Sequence, residues 1–238
     1  MRLPLALIAL ALLSSCTQTS QPGPDQTAPE RASIPTPTLE PALPRPNAAL
    51  LAAAAAGDAE RVGLALRSGA YVETRDDHER TALLLAATYD RVEVARVLLQ
   101  HGANPDALDD RHDTPWLVTG VTGSVPMAEL LLTADPDLTI RNRFGGISII
   151  PASERGHVEY VRRVVRTDID VNHVNDLGWT ALLEAVILGE GNEPWQQIVR
   201  ILLEHGADAS ISDKDGVTAL QHARSRGYVE IARLLERD

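Results

Sequence analysis

The stretch TALLLAATYDRVEVARVLLQHGANPD (residues 81–106) contains the fold in miniature. Thr81 precedes an apolar run of helical length that stops at Asp90. Val94, Val97 and Leu98 then recur at helical spacing, and Gly102 closes the second segment. The pattern returns as TPWLVTGVTGSVPMAELLLTADPDLT (114–139), as TALLEAVILG (180–189) with IVRILLEHGADAS (198–210), and as TALQHARSRGYVEIARLLERD (218–238). Its first position falls at Ala48, Thr81, Thr114, Ile147, Thr180 and Thr218, spaced by 33 residues four times and then by 38. A helical pair this short cannot bury its own apolar face, so the copies must stack.

Each template position has a physical reading. Thr81, Thr114, Thr180 and Thr218 are N-caps, and Pro115 sits where the first helical turn needs no amide. Leu50, Leu83, Trp116, Ile149, Leu182 and Leu220 point into the core. The small residues Ala53, Ala86, Ala152, Ala185 and Ala223 let neighbouring helices approach. Gly57, Gly123, Gly156, Gly189 and Gly227 are read as left-handed ends of the first helix, with Asp90 the exception. Gly69, Gly102 and Gly206 end the second helix. The last copy has Gln221 and Arg224 where earlier copies are apolar or small, as befits a terminal helix facing water. Copies three and four depart most, with Gly120 inside a helix and Asp135 and Asp168 in place of the closing Gly. That region is expected to be the least regular.

The 33-residue period, the Thr-Pro/Ala-Leu opening, the Leu-Leu pair and the closing Gly-Ala-Asp/Asn resemble the ankyrin repeat. The resemblance spans residues 47–238. It implies an all-α ankyrin repeat solenoid of about six helix-turn-helix repeats with β-hairpin fingers, at 47–74, 75–107, 108–140, 141–173, 174–211 and 212–238. In that family the fingers and the exposed side of the inner helices form a concave groove that binds protein partners. The matching positions here include Tyr89, His112, Arg143, Phe144, Arg155, Trp179 and Leu188. Tyr89, Phe144 and Trp179 are candidate anchors, because aromatics on a rigid rim often carry binding energy. Trp179 is open to a second reading, packing on its own hairpin. Arg141, Arg143 and Arg155 form a basic spot that either grips a carboxylate or phosphate or pairs with Asp110, Asp113, Asp176 and Glu184. The longer copy carries an insertion within Glu190–Pro194, so Trp195 is either a second contact or is packed beneath its own loop.

Upstream of the repeats the chain changes character. Residues 16–46 read as a linker, with eight Pro between 17 and 46 and almost nothing large and apolar. The opening MRLPLALIALALLSSC has a basic start and an apolar run too short to span a bilayer, as a secretory signal does. Leu13-Ser14-Ser15-Cys16 resembles the lipobox of bacterial lipoproteins. That resemblance implies a cleaved signal peptide at 1–15, lipidation of Cys16 and anchoring in a membrane of the cell envelope. Thr17 stands where some lipoproteins carry an Asp retention signal, so the outer membrane facing the periplasm is expected if there are two membranes, and otherwise the outer face of the cell membrane. An ordinary cleaved signal with a chance Cys is the competing reading.

Charge and missing motifs bound the function. Of 22 basic residues 21 are Arg, the net charge is −11, and the charges before residue 47 cancel, so the repeats carry the whole deficit. Nucleic acid is therefore a poor partner. One Cys excludes an intrachain disulfide framework and a Cys-rich zinc site. His101 and His205 share one slot near a helix C-terminus, and no His pair has zinc spacing. Asp213-Lys214-Asp215-Gly216 lacks the remaining ligands of a calcium loop. With no phosphate loop, nucleophile elbow or thiol nucleophile in the repeats, no catalysis, cofactor or metal is expected. The expectation is a monomeric, non-enzymatic module that binds a protein. The alternatives are an immunity-type inhibitor of an envelope toxin or enzyme, and a binder of another envelope ligand such as peptidoglycan.

Overall fold

The computed structural model describes residues 45–236; the signal, lipobox and most linker expectations lie outside the described residues. Twelve helices follow one another in pairs, and no strand is found among the described residues. The first helices of the pairs are α1 (Pro46–Ala56), α3 (Ala82–Thr88), α5 (Pro115–Thr122), α7 (Ile149–Glu154), α9 (Ala181–Ile187) and α11 (Ala219–Arg226). Their partners are α2 (Ala59–Arg67), α4 (Val92–Gln100), α6 (Val125–Leu132), α8 (Val158–Val164), α10 (Glu193–Glu204) and α12 (Val229–Leu235). Contacts run from each first helix to the next first helix and from each second helix to the next second helix, which is the packing of a solenoid.

Local chemistry explains the boundaries. The hydroxyls of Thr81, Thr114, Thr180 and Thr218 accept the backbone N–H groups of Leu84, Leu117, Leu183 and Gln221 at 3.2, 3.1, 3.2 and 3.4 Å. Gln221 also reaches back to the Thr218 N–H at 2.8 Å, completing a capping box at the water-facing end of the stack. In copies one and four, where the template holds Ala48 and Ile147 in place of Thr, no side chain caps the first helix, and α7 is only six residues long. Gly57, Gly123, Gly156 and Gly227 are left-handed as expected, and Asp90 adopts the same conformation (φ 53°) despite its side chain.

Gly189 does not fit that expectation: α9 ends at Ile187, and the left-handed residue is Gly191. Gly189 is required instead by crowding, since a Cβ there would lie 2.1 Å from the Ala185 carbonyl oxygen and 2.2 Å from the Trp195 ring.

Leu50, Leu83, Trp116, Ile149 and Leu182 form a fully buried row, with the Ala residues beside them. Leu220, the counterpart in α11, is only half-buried. Copies three and four exchange volume rather than lose order. Trp116 takes a Leu slot and Thr119 an Ala slot. Thr119 Oγ1 donates to the Trp116 carbonyl at 2.6 Å, and its partner at 2.7 Å is the hydroxyl of Tyr160 on α8. The Tyr160 ring lies 6.5 Å from Trp116, and burial pushes its pKa up to about 12. Gly120 permits a very close approach to the next copy, because a Cβ there would fall 1.9 Å from the Ser148 carbonyl oxygen. At the helix ends of these copies Asp135 adopts the left-handed conformation (φ 50°) in place of Gly, and Asp168 does not.

The fingers are simpler than β-hairpins. Only two isolated bridges occur among the described residues, Arg75 with Thr81 and Ser212 with Thr218. Each finger is instead a tight turn locked by its own side chain. The carboxylate or amide oxygens of Asp76, Asp109, Asn142, Asn175 and Asp213 each accept the N–H groups two and four residues ahead, at 2.8–3.0 Å.

Candidate functional site

Beside the fingers of copies four and five, the first helices leave a cleft of about 360 Å³. The finger of copy four brings Arg143 and Phe144 to it, the end of α7 brings Arg155, and the end of α9 brings Leu188. These four sequence candidates therefore converge. Phe144 is 54% exposed and Leu188 47%. The Arg143 guanidinium stacks on the Phe144 ring at 4.5 Å, which orients the cation without neutralising it.

The other candidates lie elsewhere or are spoken for. Tyr89, exposed at the end of α3, and His112, exposed on the finger of copy three with φ 61°, do not line this cleft. Trp179 is half-buried and packed against the core, and it does not line this cleft. Trp195 is likewise committed. Its ring covers Gly156 and Gly189, and its Nε1 donates to the Glu154 carbonyl at 3.0 Å, stitching α10 to the end of α7. Trp195, directly after the insertion, therefore bridges two copies.

The anticipated ion pairs of the basic spot do not form: among the described residues, Arg141, Arg143 and Arg155 have no carboxylate within 4.0 Å. His101 and His205 meet the Val97 and Ile201 carbonyls at 2.8 Å, as their slot implied. His222 is held 2.7 Å from Asp213, and no group of three metal-ligating side chains occurs among the described residues.

Sequence reasoning missed Arg111 and the pair formed by Asn175 and Glu184. Glu184, on α9, is 5% exposed and lines the cleft. Burial, reinforced by repulsion from Glu154, pushes its pKa up to about 7, while a 2.9 Å hydrogen bond from Asn175 Nδ2 pulls the other way. A signal was present: Asn142 and Asn175 stand where the other fingers have Asp, and only Asn can both lock the turn and donate to a carboxyl. Asp113, also on the cleft, is raised by burial and by Asp109, against the opposing pull of Arg111, Arg143 and His112.

Stacked helical pairs, capped at the far end and presenting a preformed cleft beside ordered turns, define a solenoid with a recognition groove. A family model for ankyrin repeats (three copies) matches residues 50–142 and 149–238, and the chain belongs to that family. It is 45% identical to the crystal structure of an ankyrin repeat domain (ABAYE2397) from Acinetobacter baumannii AYE, with a TM-score of 0.76 over 79% of this chain and 96% of that one. It is 49% identical over 107 residues to YahD of Escherichia coli (strain K12), named as an ankyrin repeat protein. It is 37% identical over 82 residues to human protein phosphatase 1 regulatory subunit 27. Those stretches cover 44% and 34% of this chain, and the chain spans about half the length of each of these two curated relatives. Ankyrin repeat proteins bind protein partners, and members of the family are typically non-catalytic.

Proposed function

We propose that this chain is a non-catalytic adaptor that binds one protein partner in the cleft of copies three to five, while a lipid on Cys16 tethers it to the cell envelope. The observation that carries the reading is the convergence of exposed Phe144 and Leu188 with unpaired Arg143 and Arg155 on rigid helix ends and locked turns. Apolar side chains held exposed beside unneutralised cations have no folding purpose, and suit a partner that buries both. The similarity to a phosphatase regulatory subunit fits action by binding an enzyme. The lipobox-like Leu13-Ser14-Ser15-Cys16 and the Pro-rich stretch support export, anchoring and a flexible reach, which raises effective concentration at the membrane. The repeats act as a monomer, docked on the outer membrane facing the periplasm where there are two membranes.

Crosslinking in intact cells tests this reading. Phe144→Ala with Leu188→Ala is expected to remove the crosslinked partner, and Cys16→Ser to release the chain from membranes. An unchanged set of crosslinks overturns the groove assignment, and a membrane-bound Cys16→Ser chain overturns the anchor.

A further inference from the structure

Resting on the groove reading above, we infer that the cleft receives an acidic segment of the partner, with a carboxylate on Arg143 and Arg155 and an apolar side chain against Phe144, Leu177 and Leu188. What sets these cations apart is that three of them share one cleft. Arg80 pairs with Asp76 at 2.7 Å, Arg163 with Glu129 at 3.1 Å and Arg224 with Glu236 at 2.8 Å. Beside the cleft, Arg111, Arg143 and Arg155 have no carboxylate within 4.0 Å among the described residues.

The cleft's own carboxyls form no ion pair with them. Glu184 is spent on Asn175 at 2.9 Å and is pushed toward the neutral form by burial. Asp113 is raised as well, and feels Arg111 and Arg143 without touching them. Glu154 is the remaining acid on the cleft, next to Arg155 in sequence. Three guanidiniums against Asp113, Glu154 and a Glu184 raised to about 7 leave the cleft without the negative excess of the rest of a chain of net charge −11. Arg143 Cζ lies 4.5 Å over the Phe144 ring, a contact that does not use up its N–H donors, and a guanidinium can offer two of them to one carboxylate. Leu177 at 52% and Leu188 at 47% exposure supply apolar ground beside it. A basic segment would meet three guanidiniums and is disfavoured by the same arithmetic.

The test uses the full chain and a phage-displayed library of random twelve-residue peptides. Recovered peptides are expected to be enriched in Asp and Glu next to an apolar residue. Their affinity should fall at least about ten-fold on Arg143→Gln with Arg155→Gln, since truncating charged contacts in an interface costs that much or more. Both side chains are exposed, so the double variant should keep the wild-type melting temperature, which calorimetry checks. Peptides that need Phe144 but carry no acidic bias, or tolerate loss of both arginines, overturn the inference and leave the groove reading standing. Peptides indifferent to Phe144 and to the arginines overturn both. Recovery of no peptide overturns the claim that a short acidic segment is what the cleft receives.

Discussion

Glu184→Gln should stabilise the protein at alkaline pH and do little in acid. In the native state the carboxyl is raised to about 7 from an ordinary 4.5. Folded protein therefore holds a proton that the unfolded chain has released between those values. The group's contribution is fully present below the unfolded pKa and is lost as pH rises through 7. At about 1.4 kcal/mol per pKa unit, the loss approaches about 3 kcal/mol by pH 8.5 and stays under about 1 kcal/mol at pH 5. Gln cannot ionise, matches the shape, and keeps an oxygen for the Asn175 Nδ2 donor. Urea unfolding of wild type and variant at pH 5 and 8.5, followed by circular dichroism, reads the difference, which cancels other titrating groups. The variant should gain about 2–3 kcal/mol relative to wild type between the two conditions. A difference that is flat with pH, or that shrinks toward alkali, would show that Glu184 is already ionised at neutral pH and refute the reasoning.

Three further outcomes follow from the packing. Asn175→Asp replaces the donor facing Glu184 by a second carboxyl, so Glu184 should titrate still higher and alkaline stability should drop by about 1–3 kcal/mol; carboxyl NMR titration and urea melts check it. Gly120→Ala forces a methyl to within 1.9 Å of the Ser148 carbonyl oxygen, and thermal unfolding should show a loss of about 1–3 kcal/mol although Ala favours helix. Trp195→Phe removes the bond to the Glu154 carbonyl while retaining most of the ring, and should cost about 1 kcal/mol with faster amide exchange at the end of α7.

What could be read from the residues divides by the range of the interaction. The Thr caps, the buried Leu row and the final capping changes depend on residues within a few positions, and a six-fold repeat averages out the ambiguity of any one copy. Trp195 was ambiguous because its partners, Glu154 and Gly156, lie about one template length away in sequence, where no local rule reaches. The fate of Arg143 and Arg155 was open for the same reason: acidic residues are near in sequence register, but contact depends on side-chain direction. Gly189 departs from its slot, which elsewhere holds a left-handed cap, because it makes room for the indole of Trp195, just after the insertion. The hairpins were over-read because the turns are held by Asp and Asn side chains rather than by strand pairing.

The junction between copies three and four bears on how such a chain can change over generations. In most of the stack one copy meets the next through Leu and Ala rows that any other copy also supplies, so gain or loss of a 33-residue unit leaves equivalent surfaces in register. At this junction the surfaces are matched to each other alone: Gly120 admits Ser148, and Thr119 answers Tyr160. Moving either copy would bring a side chain against a backbone oxygen or strand a buried hydroxyl. Copies three and four are thus heritable only as a pair, while junctions built from the shared rows tolerate the gain or loss of a unit.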